Sequence, residues 1–183
     1  MSDAFPKVSF LRNGYAPEHV DAFFEDARRA YEGGVPAERF SSEQVRQATF
    51  PLKRGGYRME AVDAAMNRLE AAFVQRDRLD HVAVNGEAAW LEKIADRATT
   101  LYDRLLRPRA ERFAHPQKGR GYDVVAVDDL LDRLAAYFDE GRPLSVDDVR
   151  TAVFKPARGK KGYLEGPVDA YLGRAVEILL AVE

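Results

Sequence analysis

Three histidines, His19, His81 and His115, are the side chains of this 183-residue chain best suited to proton transfer or metal ligation. They are scattered, and none stands at a spacing that ligates a metal or builds a catalytic triad. Gly119-Arg120-Gly121 sets a cation between glycines but has no phosphate-cradle spacing. The absence of cysteine excludes thiol nucleophiles, disulfides, Cys-ligated zinc and iron–sulfur clusters. We therefore expect no catalytic residue, no metal site and no cofactor.

The chemistry that remains is electrostatic. Lys7 and Arg12, Lys53 and Arg54, Lys118 and Arg120, and Lys155, Arg158, Lys160 and Lys161 fall in four loops, 5–15, 50–57, 113–122 and 154–163. These loops contain no Asp or Glu, so all 30 acidic residues lie elsewhere in a chain of formal charge −2. Segregated charge of this kind predicts affinity for an anionic membrane, a nucleic acid or an acidic protein face. Large apolar neighbours favour lipid, and Phe10, Leu11 and Arg12 in the first loop and Leu52, Lys53 and Arg54 in the second supply that pairing. The competing reading is that Phe10, Leu11 and Leu52 face the core. The last two loops, with Pro116-Gln117-Lys118 and Pro156-Ala157-Arg158, have no large apolar tip. They offer only attraction, about 1 kcal/mol per basic residue near an anionic surface.

Every loop ends on one motif, Gly-Tyr, four variable residues, then Val-Asp. The copies are Gly14-Tyr15 with Val20-Asp21, Gly56-Tyr57 with Val62-Asp63, Gly121-Tyr122 with Val127-Asp128, and Gly162-Tyr163 with Val168-Asp169. Their spacing groups them as two pairs. The segments 40–50 and 144–154, which lead into the second and fourth copies, also match in Ser, Val, Arg, Ala and Phe. After each motif, apolar residues recur at offsets of four, seven and eleven: Val20, Phe24, Ala27, Tyr31; Val62, Met66, Leu69, Phe73; Val127, Leu131, Leu134, Phe138; Val168, Leu172, Ala175, Leu179. This single stripe predicts helices that pack on other helices. Gly33-Gly34 and Gly141 should end the first and third of them.

If the residue after Tyr is the N-cap, Tyr is at N′ and Val at N4, the positions of a hydrophobic staple. Asp123 is a good cap, and Pro17 suits the first helical position after Ala16. Starts at Arg58 and near Gly166-Pro167 are less well specified. The Asp after each Val reads as a solvated first-turn carboxylate, with the entry loop, Arg46 or Arg150 as the alternative partner. Between the pairs, Trp90, Ile94, Ala98, Leu101 and Leu105 share a face and predict one amphipathic helix.

The expected architecture is all-α: tandem helical repeats of a short helix, a basic loop and an amphipathic helix, four copies in two pairs. The first pair is placed at 1–81, a connecting helix at 82–107 and the second pair at 108–183. With 46% hydrophobic and 32% charged residues the chain is globular. The N-terminus reads as no secretion signal, which favours the cytoplasm. The longest obvious apolar run, Ile178 to Val182, is far below the ~20 residues that cross a bilayer.

These four stretches resemble the DivIVA domain of bacterial cell division and polarity, most closely its tandem-repeat variety. The resemblance implies an apolar residue and an Arg at the loop tip that touch the membrane, and a following helix that dimerises. The tip roles would fall on Leu11 and Arg12, and on Leu52 with Lys53 or Arg54. Asn13 and Gly55 are extra residues before the glycine, and copies three and four lack the apolar tip. The long C-terminal coiled coil of DivIVA scaffolds is absent. The implied function is a non-enzymatic scaffold or adaptor, peripheral at the inner face of the cell membrane. Its implied partners are anionic membrane and proteins of the division or cell-wall machinery. The alternative is an interaction module without membrane binding. Each pair is expected to form within one chain the helix dimer that separate chains form in the family; the competing arrangement is a homodimer. Nucleic acid is disfavoured, because the tyrosines are needed structurally and the remaining surface is acidic.

Overall fold

The computed structural model describes residues 4–33 and 40–182. It is mainly helical, with seven α-helices and five short strands among the described residues. The chain divides into two compact units, 1–80 and 81–183.

Unit 1 holds β1 (Asn13–Tyr15), α1 (Pro17–Tyr31), α2 (Ser42–Gln47), β2 (Leu52–Arg54) and most of α3 (Met59–Asn85). Ala16 is the N-cap of α1 in extended conformation, and Pro17 takes the first helical position, where its missing N–H costs nothing. Ser41 caps α2 in a reciprocal capping box with Gln44. Val20 and Ala27 of α1 are buried with Val45 of α2, Tyr57, and Val62, Met66 and Phe73 of α3. The stripe is thus a shared core. At their starts α1 and α3 are joined by backbone hydrogen bonds between Tyr15 and Tyr57. At their ends the Arg76 guanidinium donates to the carbonyls of Ala30 (2.6 Å) and Tyr31 (3.0 Å). The two helices therefore run parallel, and Arg76 brings its charge to the carbonyl end of α1, where a cation is favoured.

Unit 2 holds α4 (Glu87–Leu105), β3 (Gly121–Asp123), α5 (Val124–Glu140), α6 (Val146–Arg150), β4 (Pro156–Ala157), a single 3-10 turn at Gly159–Lys161, β5 (Gly162–Tyr163) and α7 (Glu165–Val182). Asp123 caps α5 by accepting from the Ala126 N–H at 3.0 Å. Gly141, left-handed at φ 68°, closes the same helix. Ser145 makes a capping box with Asp148 at the start of α6, as Ser41 does at α2. Helices α4 and α7 are antiparallel: Trp90 Nε1 donates to the Ala181 carbonyl (3.1 Å), Arg97 pairs with Glu177 (2.7 Å), and the Tyr171 hydroxyl donates to the Leu101 carbonyl (3.0 Å).

Several expectations are corrected. The fold is not purely helical: β1 and β2 form one small antiparallel sheet, and a second has the order β4-β3-β5. The single helix expected over 82–107 is divided, because Gly86 at φ 85° breaks the chain between α3 and α4. On α4, Trp90, Ile94, Leu101 and Leu105 are buried as their spacing implied. Among the described residues a short helix precedes the loop only in the second and fourth copies, as α2 and α6. Helix α1 ends at Tyr31, with Gly33 at φ 85° just beyond; Gly34 lies outside the described residues. No helix among the described residues is long and apolar enough to cross a membrane.

Candidate anion-contact site at the paired loops

The loops are held by a crossed clasp between paired motif copies. The Tyr15 N–H donates to the Tyr57 carbonyl at 3.0 Å, and the Tyr57 N–H returns to the Tyr15 carbonyl at 2.8 Å. A Cβ on Gly14 would overlap the Tyr57 carbonyl, and one on Gly56 the Tyr15 carbonyl, so only glycine lets the two backbones meet. Side chains cross in the same sense. The Tyr57 hydroxyl donates to Asp21 at 3.1 Å, and the Tyr15 hydroxyl hydrogen-bonds Asp63. The Tyr57 ring meets Phe5, and the Tyr15 ring meets Phe50, both with centroids 5.4 Å apart.

Unit 2 repeats the side-chain crossing, while Gly162 faces the Ala157 carbonyl instead of that of Tyr122. Tyr122 pairs with Tyr163 in the sheet, and a Cβ on Gly121 would overlap the Tyr163 carbonyl. The Tyr163 hydroxyl donates to Asp128 at 3.2 Å, and the Tyr122 hydroxyl to Asp169 at 3.4 Å. The Tyr163 ring meets Phe113 at 5.3 Å, and the Tyr122 ring meets Phe154 at 5.2 Å.

The staple reading is therefore replaced. Tyr15, Tyr122 and Tyr163 stand in strands, and the ring and hydroxyl partners of all four tyrosines are the Phe and the Asp of the paired copy. The Phe that opens each loop was the available signal. Asp128 also departs from the solvated reading: it is 1% exposed, accepts from the Ala110 N–H at 2.7 Å and lies 3.8 Å from Arg112. Asp21, Asp63 and Asp169 are exposed. Arg46 turns instead to buried Glu70, 2.6 Å away. Burial and then the facing carboxylate raise the phenols of Tyr15 and Tyr122 above their ordinary range. Burial and Asp128 do the same for Tyr163, against the opposing donation from the Arg112 N–H.

In unit 1 the clasp projects a tip. Asn13 pairs with Arg54, and one step further the Gly55 N–H donates to the Arg12 carbonyl at 2.9 Å, which sets Arg12 beside Arg54. Phe10 (76% exposed), Leu11 (71%) and Leu52 (59%) all face solvent, so the core-facing alternative does not hold. Lys53 is tied to Glu18 at 2.9 Å. A cleft beside the tip is lined by Lys7, Val8, Ser9, Arg12, Arg58 and Glu60. In unit 2 the corresponding loops expose Lys118, Arg120, Lys155, Arg158, Lys160 and Lys161, with Pro116 buried and Ala157 half-buried. Among the described residues no three His, Asp or Glu side chains converge as a metal site.

Compared with protein-family models, with curated proteins and with solved structures, the chain has no match.

Proposed function

We propose that this chain is a non-enzymatic scaffold or adaptor of the DivIVA type, linked to bacterial cell division or polarity and built as four tandem copies in two pairs. It works at the inner face of the cell membrane, where the tip of the first pair meets anionic lipid. The reading is carried by one observation: Phe10 and Leu11 are solvent-exposed next to Arg12, whose carbonyl is bonded to the Gly55 N–H just after Arg54. Folding does not use these apolar side chains. Fully burying one such side chain yields about 1.5–3 kcal/mol, and each cation adds about 1 kcal/mol near an anionic surface. Two apolar residues with two guanidiniums therefore suffice for reversible, salt-sensitive attachment. Proteins of the division or cell-wall machinery are the corresponding partners.

Cosedimentation with phosphatidylglycerol-rich vesicles tests this. The wild type pellets, and the double variant Leu11→Asp/Leu52→Asp remains in the supernatant. A wild-type protein that stays in the supernatant at low salt overturns the membrane reading.

A further inference from the structure

The geometry of unit 2 points to a docking surface for an acidic protein segment, chemically distinct from the tip of unit 1. The sheet order β4-β3-β5 gathers two loops that are some 40 residues apart in sequence onto one strand. One step beyond the Gly121–Ala157 pair stand Arg120 and Arg158. The Asp123 N–H donates to the Lys155 carbonyl at 2.9 Å, which brings Lys155 to the other end of β3. Lys160 and Lys161 lie on the 3-10 turn that leads into β5. Lys118, Arg120, Lys155, Arg158, Lys160 and Lys161 are all exposed, and among the described residues none has an ion-pair partner.

The same unit has carboxylates in abundance, but they serve the scaffold. Arg97 pairs with Glu177, Arg109 with Asp129 and Asp132, Arg112 with Asp132, Arg133 with Asp148, and Arg142 with Glu140. Among the described residues the six loop cations have no such carboxylate and stand together, and their combined charge asks for an anion from outside the unit.

Three observations select an acidic protein segment. Within 118–120 and 155–161 no large apolar side chain stands among the cations, and exposed Val153 and Leu164 lie outside those runs, so the tip itself presents charge without an apolar wedge. The Tyr122 and Tyr163 rings are held against Phe154 and Phe113, and His115 stacks on Tyr163 at 5.4 Å, so no aromatic face is offered to a base. Exposed Glu165 and Asp169 at the start of α7 border the positive zone. A continuous phosphate backbone would run onto these carboxylates, whereas a short run of Glu or Asp fits between them and forms charge-assisted hydrogen bonds with the arginines.

This inference rests on the reading of the chain as an adaptor, yet it fails separately from it. The probe is a fluorescently labelled oligoglutamate peptide titrated into the full chain, with anisotropy as the readout. Binding should weaken as salt screens it. The charge reversal Arg158→Glu/Lys160→Glu should weaken it on the order of tenfold or more, with the circular dichroism spectrum unchanged. Leu11→Asp/Leu52→Asp should leave peptide binding intact. Absence of peptide binding at low salt, or equal binding by the charge-reversed variant, overturns the inference. Tighter binding of a DNA oligonucleotide through the same residues overturns it in favour of nucleic acid, and vesicle pelleting of Leu11→Asp/Leu52→Asp that requires Arg158 and Lys160 overturns it in favour of lipid. If the wild type binds peptide but not vesicles, only the membrane reading falls.

Discussion

The Tyr57 hydroxyl donates to Asp21 Oδ2 at 3.1 Å, joining residues 36 positions apart that belong to different copies of one motif. The bond ties the segment between β2 and α3 to the N-terminal part of α1. Tyr163 and Asp128 make the equivalent link in unit 2, at 3.2 Å. The tip of each unit is thus positioned by residues that lie outside its own loop.

Tyr57→Phe removes this bond, together with the one its oxygen accepts from the Ala4 N–H at 3.2 Å, while keeping the ring against Phe5. A net loss of about 1 kcal/mol is expected, read as a fall on the order of 4–8 °C in melting temperature for a unit of this size. Asp21→Ala should cost a similar amount, and the double variant less than the sum, because both changes remove the Tyr57–Asp21 bond. Additive losses in thermal denaturation would count against the crossed pairing.

Gly14→Ala and Gly121→Ala place a methyl group on the facing tyrosine carbonyl, where backbone and not a movable side chain stands in the way. Losses at the top of the range for point substitutions, about 4–5 kcal/mol, are expected. Gly119→Ala is the control: φ is 85° but the space is open, so only the left-handed strain of about 1–2 kcal/mol applies. Urea midpoints for the three variants check the order.

Stability should fall at both ends of the pH scale. The Ser145 N–H, the Ser145 hydroxyl and Arg133 hold Asp148 down at about 2. A depressed folded value means that stability is present above the unfolded carboxylate range near 4 and is lost as pH falls toward 2. Ser145→Ala should shrink that acid-sensitive portion. Tyr15, Tyr122 and Tyr163 are raised in the folded protein, so their contribution is full below about pH 10 and is lost as pH rises toward their folded values. Melting temperature against pH, with tyrosinate absorbance followed in parallel, checks both limbs; a flat alkaline limb would contradict the tyrosine–carboxylate pairs.

What the sequence by itself determined is local. The caps at Ala16-Pro17 and Asp123, the stop at Gly141 and the buried stripe from Val20 to Ala27 and from Val62 to Phe73 all depend on neighbours within a few turns, which spacing encodes directly. The segregation of charge into four loops was equally legible, because composition needs no geometry. Tertiary structure alone decided the rest. Strands of two or three residues carry no periodicity, so β1 to β5 were invisible until Gly-Tyr met Gly-Tyr. Each tyrosine takes its partners from a copy dozens of residues away, and a motif's own spacing cannot say which other copy it will face. The burial of Asp128, the turn of Arg46 to Glu70 and the exposure of Phe10 and Leu11 follow from that meeting, since it is the pairing of the copies that fixes which side chains water can still reach.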